Sequence, residues 1–180
     1  MSTRDQERLA TKYSEANPIR AMIITMSDRA YAKEYEDEGG PMALSRLRAH
    51  YTRAELAIEC EAVILPDDRE VLRKQLVTAR EGRIDIVITT GGTGIGPRDI
   101  TPDVILEMAD KVIPGVMELI RARHGQERPL TALSRTVAAT MGSTLVYAIP
   151  GNPKGVEEYM TELLKTMNHL LCVLHGIEAH

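Results

Sequence analysis

Four short apolar runs, each closed by a polar or glycine-rich turn, constrain this chain more than any other feature. They are RAMIITM at 20–26, IECEAVIL at 58–65, IDIVITT at 84–90 and TLVYAI at 144–149. Runs of this length with little alternation read as strands buried on both faces. Between them the apolar residues fall at helical spacing: Leu44 and Leu47, then Leu72, Leu76 and Ala79, then Val104, Ile105 and Met108. One long helix is expected to close the chain, with Val156, Tyr159, Met160, Leu163, Leu164, Met167, Leu170 and Leu171 on one broad face. Strands alternating with helices call for right-handed crossovers. The expected architecture is therefore α/β, a three-layer α/β/α sandwich with a mostly parallel sheet.

A chain of 180 residues is long enough to bury one sizeable core, and no change of composition divides it. One domain is expected over 19–175, with tails at 1–18 and 176–180. The N-terminal stretch, MSTRDQERLATKYSEANP, ends in the turn signal Asn17-Pro18 and is expected to be a tail or a loosely attached helix. It is too polar for the centre of a signal peptide, and no run of about 18 apolar residues exists, so a cytoplasmic protein that does not engage membranes is expected. Lys plus Arg number 22 against 26 Asp plus Glu, which argues against a broad basic surface for nucleic acid. Tyr is the only aromatic residue, so stacking platforms for single strands are scarce as well. Cys60 and Cys172 lack metal-ligand spacing and lie in apolar stretches, where inert core thiols are expected.

In parallel α/β sheets ligands bind beyond the carboxyl ends of the strands, so the residues directly after each run are the informative ones. Ser27-Asp28-Arg29 follows the first run and leads into the charged loop EYEDEGGP; a helix cap explains it as well as a binding role does. Pro66-Asp67-Asp68 follows the second, and a carboxylate there is either an N-cap or a catalytic group, the cap being favoured when the turn is taken alone. The third run ends in TTGGTGIGPRDITP, residues 89–102. Gly91, Gly92 and Gly94 allow the backbone to approach a ligand and turn its N–H groups inward. Thr101 reads as an N-cap with Pro102 at the first helical position, so the loop feeds into a helix start suited to phosphate. No Lys-Ser/Thr pair follows the loop, and Pro97 stands where the last glycine of a dinucleotide fingerprint belongs. The fourth run is followed by Pro150-Gly151-Asn152-Pro153-Lys154, a tight turn with an N-cap Asn. Four such ends at one sheet edge are better explained by a site than by four independent caps.

On these strings the chain resembles the MogA-type molybdopterin adenylyltransferases and the G domain of gephyrin and its plant counterpart. The matching segments are ITMSDRA, the LPDD turn, TTGGTGIGPRDITPD, IPGVMELIR, Leu133-Ser134-Arg135 and GSTLVYAIPGNPKGV, in family order from about residue 20 to 172. The resemblance implies a homotrimer that transfers AMP from Mg-ATP to molybdopterin with release of pyrophosphate. ATP and molybdopterin are then the substrates, Mg²⁺ the cofactor, and a molybdate-inserting enzyme the recipient of the product. It further implies that Asp67 and Asp99 are essential and that Ser27, Thr89, Gly91, Gly92, Thr93, Gly94, Ser134, Gly151 and Asn152 line the pocket. Asp28, Arg135 and Pro150, inside the matching strings, are expected with them.

Such a reaction brings two anions together, so oriented N–H groups, a cation and a divalent metal are what the site must supply. Asp99 is expected to hold Mg²⁺ on the ATP phosphates; Asp67 either contacts the metal or orients the pterin. Arg98 and Lys154 are candidates for charge neutralisation, an exposed salt bridge being an equal account of each. Related MoaB proteins share the glycine loop but typically lack one or both aspartates, which keeps a non-catalytic molybdopterin carrier as the alternative. A different nucleotide-processing enzyme of the CinA-like kind is a further one. The presence of both aspartates favours the adenylyltransferase.

Overall fold

The apolar runs form strands that carry side chains into two separate cores. In the computed structural model, which describes residues 3–177, the chain runs α1 (Thr3–Lys12), β1 (Ile19–Met26), α2 (Asp28–Tyr31), α3 (Gly39–Arg53), β2 (Ile58–Leu65), α4 (Arg69–Glu81), β3 (Ile86–Thr90), α5 (Thr101–Met108), β4 (Lys111–Val112), α6 (Pro114–Gly125), a 3₁₀ turn (Pro129–Leu133), β5 (Val137–Met141), β6 (Thr144–Ile149), α7 (Pro153–Leu163) and α8 (Met167–Leu174). Residues 1–2 and 178–180 of the two expected tails lie outside the described residues. One six-stranded sheet has the order β2-β1-β3-β6-β5-β4. Its first four strands are parallel, while β5 runs antiparallel to β6 and β4 antiparallel to β5.

Strand alternation sorts the sheet residues between its faces. Ala21, Ile23, Ile86, Ile88, Leu145 and Tyr147 pack with Leu47 and Tyr51 of α3, Met117 and Ile120 of α6 and residues of α1, α7 and α8. Met22, Ile24, Val87, Val146 and Ala148 pack with Leu72, Leu76 and Ala79 of α4 and Val104 and Ile105 of α5. Both faces are covered, so the central strands need apolar residues at every position and lose the polar alternation of a one-sided sheet. Each fully buried Ile or Leu contributes roughly 1.5–3 kcal/mol. At the edge, β2 pairs only with β1 and leaves Glu59 and Glu61 exposed, charges that discourage a further strand from adding there. Cys60 on this strand is half-buried rather than in the core, while Cys172 is buried; both thiols are free.

Several expectations are corrected. β5 and β4 were not legible: VAATM is a run of small residues, and β4 has only 2 residues. The expected single closing helix is two, because Lys165 and Thr166 N–H groups turn to Glu162 and Leu163, three residues back, and tighten the chain between α7 and α8. The N-terminal segment is neither a tail nor loosely attached. α1 buries Leu9 and Tyr13, one turn apart, against α3 and α8, and Gln6 Nε2 donates to Ala54 O at 2.7 Å.

Asp85 ties this segment down at the amino edge of the sheet, opposite the strand ends that matter for function. Tyr13 Oη donates to Asp85 Oδ1 at 2.7 Å, and the Arg20 N–H donates to Oδ2 at 2.8 Å. His175 Nε2 is 3.1 Å from Oδ1, out of line for a straight hydrogen bond. An aspartate inside an apolar run thus fastens both ends of the chain to the sheet. Burial pushes the Asp85 carboxyl up, but His175, the Arg20 N–H and the Tyr13 hydroxyl outweigh it and hold it below the ordinary aspartate value. A depressed folded pKa stabilises above the unfolded value and loses that contribution as pH falls through the folded one. Thermal melts should therefore show Asp85→Asn least stable relative to wild type near neutral pH, with the gap closing below a pH of about 4. A gap that stays constant down to pH about 2.5 would mean that the carboxylate contributes nothing as an anion.

Candidate active site

Because β1, β2, β3 and β6 are parallel, their carboxyl ends meet at one edge. The closest approach is backbone against backbone. Gly91, with φ +97°, lies where a Cβ would come within 2.4 Å of Met26 O at the end of β1. A Cβ on Gly151 would stand 3.1 Å from Gly91 Cα. No side chain fits at Gly91, and its positive φ adds a second reason for glycine. The Gly91 N–H donates to Ile149 O at 3.1 Å, so this amide serves the fold. The N–H groups of Gly92, Thr93 and Gly94 make no backbone hydrogen bond among the described residues.

The adjacent aspartates of the second strand end divide the two roles the sequence left open. Asp68 is the cap: its Oδ1 accepts from the N–H groups of Glu70 and Val71 at 2.9 and 3.0 Å. Asp67 turns toward Asp28 and Gly92 instead and lines neither of the cavities at this edge. Its Oδ2 accepts from the Asp28 N–H at 3.0 Å, and its own N–H donates to Asp28 Oδ1 at 3.0 Å, a reciprocal pair that locks the ends of β1 and β2 together. Asp28 Oδ2 holds Arg98 of the glycine loop, so Asp28 joins three strand ends and each of its carboxylate oxygens already accepts one hydrogen bond. The Arg98 guanidinium is accordingly a salt bridge. Burial is the largest influence on the Asp67 carboxyl and pushes it up; the Asp28 N–H and Arg98 oppose this, the Asp28 and Asp99 carboxylates reinforce it, and the balance is upward.

The loop after β3 is braced from within and from behind. Asp99 Oδ2 accepts from the Gly96 N–H at 2.8 Å. Arg135 Nε donates to Gly94 O at 2.7 Å, its Nη1 to Asp103 Oδ1 at 2.7 Å and its Nη2 to Asp99 O. Expected among the binding residues, Arg135 turns its guanidinium to the loop's own carbonyls. The Arg135 N–H also holds Thr93 O at 2.8 Å, and the Thr93 and Ser134 hydroxyls lie 3.3 Å apart.

Two cavities open at this edge. The larger, about 690 Å³, lies between Gly91–Gly94 and Asp99 on one side, Leu130, Leu133 and Ser134 of the 3₁₀ segment on another, and Pro150–Asn152 with Tyr159 beneath. The smaller, about 460 Å³, is bounded by Thr25, Ser27, Tyr35, Asp37 and Thr90 and shares Gly91, Gly151 and Asn152 with the first. Ser27 and Asn152 cap α2 and α7 through the N–H groups of Ala30 and Gly155 and still reach the cavity walls. Thr89 does not line either cavity; its side chain is buried and donates to Tyr147 O at 3.3 Å. Its neighbour Thr90 is the wall residue, and its hydroxyl begins a chain through Thr25 at 3.2 Å to Asp37 at 2.6 Å. Alternation along a strand decides between the two, and a shift of one residue reverses the answer. Lys154 is exposed at the start of α7, outside both cavities. Leu130, Tyr35 and Asp37 were not singled out as wall residues, since their segments have neither strand nor helix periodicity, whereas Ser134 was expected from its matching string.

Thr101 is not the cap that the sequence suggested. It is the first residue of α5, its N–H donates to Gly92 O at 3.2 Å, and its hydroxyl bonds no helix amide. Among the described residues no three carboxylate, imidazole or thiol groups gather into a metal cage. The donor set does suit a cation held mainly by a substrate's phosphates: Asp67 and Asp99 repel each other, and Asp67 Oδ1 is buried without a hydrogen-bond partner.

Residues 22–169 match the family described as "Probable molybdopterin binding domain". The molybdopterin adenylyltransferase of Escherichia coli (strain K12) is 32% identical over 164 residues, covering 91% of this chain and 82% of that protein. The molybdenum cofactor biosynthesis protein B of Staphylococcus carnosus is 33% identical over 159 residues, covering 85% of this chain and 89% of the relative. Among solved structures, the molybdopterin biosynthesis Mog protein from Mycobacterium ulcerans superposes with a TM-score of 0.79 at 33% identity, covering 88% of this chain and 98% of that one.

If Arg135 shapes the loop, Arg135→Met, which keeps most of the aliphatic stem, should speed amide exchange across residues 94–99 by about tenfold or more while the core strands keep their protection. Exchange unchanged in this loop would assign the guanidinium to something other than bracing.

Proposed function

The chain belongs to the family of probable molybdopterin-binding domains, and we propose from that premise that it transfers the adenylyl group of Mg-ATP to the terminal phosphate of molybdopterin and releases pyrophosphate. This is a step in molybdenum cofactor biosynthesis. The observation that carries the reading is the presence of both Asp67 and Asp99 beside a glycine turn with unengaged amides. A carrier of molybdopterin needs the cavity but has no use for two carboxylates that repel each other.

In the reaction an oxygen of the terminal phosphate of molybdopterin forms a bond to the α-phosphorus, and the bond between that phosphorus and the bridging oxygen of pyrophosphate breaks. The two cavities meet at Gly91 and Gly151, so each substrate has a chamber and their phosphates come together at the shared rim. The free amides of Gly92, Thr93 and Gly94 stabilise the phosphate oxygens as charge builds up in the transition state. The Thr93 and Ser134 hydroxyls add neutral donors on the wall of the larger cavity. When bound, Mg²⁺ would be held by Asp99, with Asp67 beside it, and would screen the triphosphate. Asp28 fixes Asp67 through the reciprocal pair and keeps Arg98 across the top of the loop.

The remaining parts of the reading are a homotrimer, a cytoplasmic location and transfer of the product to a molybdate-inserting enzyme. Leu106, Val112 and Leu119, exposed on α5, β4 and α6, provide apolar surface for self-association. No helix among the described residues is long and apolar enough to cross a membrane.

Mass spectrometry of molybdopterin incubated with ATP, Mg²⁺ and the protein should detect the adenylylated pterin; its absence, with molybdopterin retained, would favour the carrier. Asparagine at either position keeps an acceptor for the amide now bonded there, so Asp67→Asn and Asp99→Asn should melt within about 2 °C of wild type while turnover falls about a hundredfold or more. Full turnover by Asp99→Asn would remove its metal role. Chelation by EDTA should stop product formation and added Mg²⁺ restore it; turnover that persists in the chelator would exclude the metal dependence.

A further inference from the structure

Gly92 is crowded by two oxygen atoms that have no hydrogen-bond partner within the protein, and the mechanism above gives the first of them, the Thr101 hydroxyl, no role. A Cβ on Gly92 would lie 2.5 Å from Thr101 Oγ1 and 3.6 Å from Asp67 Oδ1, so both atoms converge on one point above its Cα. Thr101 is fully buried. Neither its hydroxyl nor Asp67 Oδ1 is exposed to solvent, and neither has a hydrogen-bond partner within the protein. A buried hydroxyl or carboxylate oxygen without a partner weakens a fold. Two of them at one glycine are not what stability alone would retain, since valine fills the volume of threonine and carries no such hydroxyl.

The place of Thr101 in the chain makes a structural account harder still. As the first helical residue rather than the N-cap it has no amide to cap, and only its backbone is engaged, through the N–H to Gly92 O at 3.2 Å. That bond fixes the residue against the glycine turn and leaves the hydroxyl beside Gly92, the residue that Asp67 Oδ1 also approaches. The other Asp67 oxygen is already held by the Asp28 N–H.

We propose that Thr101 is a positioning residue, whose hydroxyl donates to Asp67 Oδ1 in the substrate complex and holds the carboxylate in its working orientation. Asp67 is then gripped at both oxygens, by Asp28 from the first strand end and by Thr101 from behind the glycine turn. Position 92 must lack a side chain because a methyl group there would stand between the two oxygens. The proposal rests on the adenylylation reading, and it gives Asp67 an orienting partner that the motif strings did not indicate.

The test compares Thr101→Val and Thr101→Ser with wild type by thermal melting and steady-state adenylylation of molybdopterin. Thr101→Val should melt at or above the wild-type temperature, since it removes an unpaired hydroxyl at constant volume. Its kcat should fall about ten- to a hundredfold, as loss of a hydrogen bond to a charged group predicts, with KM for ATP within about twofold of wild type. Thr101→Ser, which keeps the hydroxyl, should retain most of the wild-type kcat. Wild-type kcat in Thr101→Val, a loss in Thr101→Ser as deep as in Thr101→Val, or a melting temperature of Thr101→Val lowered by more than about 5 °C would each overturn the proposal. Wild-type protein in the same assay separates the two claims. No product from it overturns the adenylylation reading and this proposal with it, whereas product from wild type and equal product from Thr101→Val overturns this proposal alone.

Discussion

The contact of Gly91 with Met26 O and Gly151 sets the geometry of the functional edge. Three strands end there with no side chain between their turns, so the loops that follow start from fixed and nearly coincident points. Everything placed around the cavities inherits that precision: Ser27 and Asp28 one and two residues past β1, the glycine amides past β3, and Pro150–Asn152 past β6. Parallel pairing is what makes it possible, because only parallel neighbours bring successive carboxyl ends to the same side. The antiparallel β5 points its carboxyl end away from that edge, whereas β4, reversed once more, points its own back to it and leads into α6.

Architecture and the location of the site were legible because both depend on signals that survive in one dimension. Runs buried on two faces need continuous apolar sequence, and tight backbone approach needs glycine. What stayed hidden depended on which neighbour a side chain meets. Asp67 and Asp68 are the same residue type one position apart, yet Asp68 caps α4 and Asp67 turns to Asp28 and the glycine turn. Thr89 and Thr90 differ only in which face of β3 they occupy. Arg135 lies in a matching string, but its guanidinium is directed by two carbonyls and a carboxylate 32 to 41 positions away along the chain. At the other edge Leu9 and Tyr13 make α1 an integral part of the first core, although the stretch is so polar overall that few apolar residues mark its buried side.

The two edges of the sheet handle acidic groups in opposite ways. At the amino edge Asp85 is surrounded by donors, its carboxyl is lowered, and it stabilises the fold as an anion. At the carboxyl edge Asp67 is half-buried beside two other carboxylates, its carboxyl is raised, and one of its oxygens has no partner in the protein. The fold invests stability at one end and tolerates an unfavourable arrangement at the other. Local conflict of this kind is expected where groups are arranged for a ligand rather than for the folded state alone.

The charge around the cavities bears on which anions such a site accepts. Arg98 is paired with Asp28, Arg135 with Asp103, and Arg128 at the larger cavity with Glu158, while Lys154 stands outside both cavities. These cations are therefore largely neutralised by the protein itself, in a chain whose net charge is −4. A site with several free lysines would attract any polyanion by long-range charge alone. Apart from Arg29 at the smaller cavity, which stacks over Tyr35, the attraction is left to neutral amides and hydroxyls, which act only over hydrogen-bond distances and in set directions, and under the proposed reading to a metal ion that arrives with the triphosphate. Selection between phosphate compounds then rests on the shape of the glycine turn, which returns it to the close contact at Gly91.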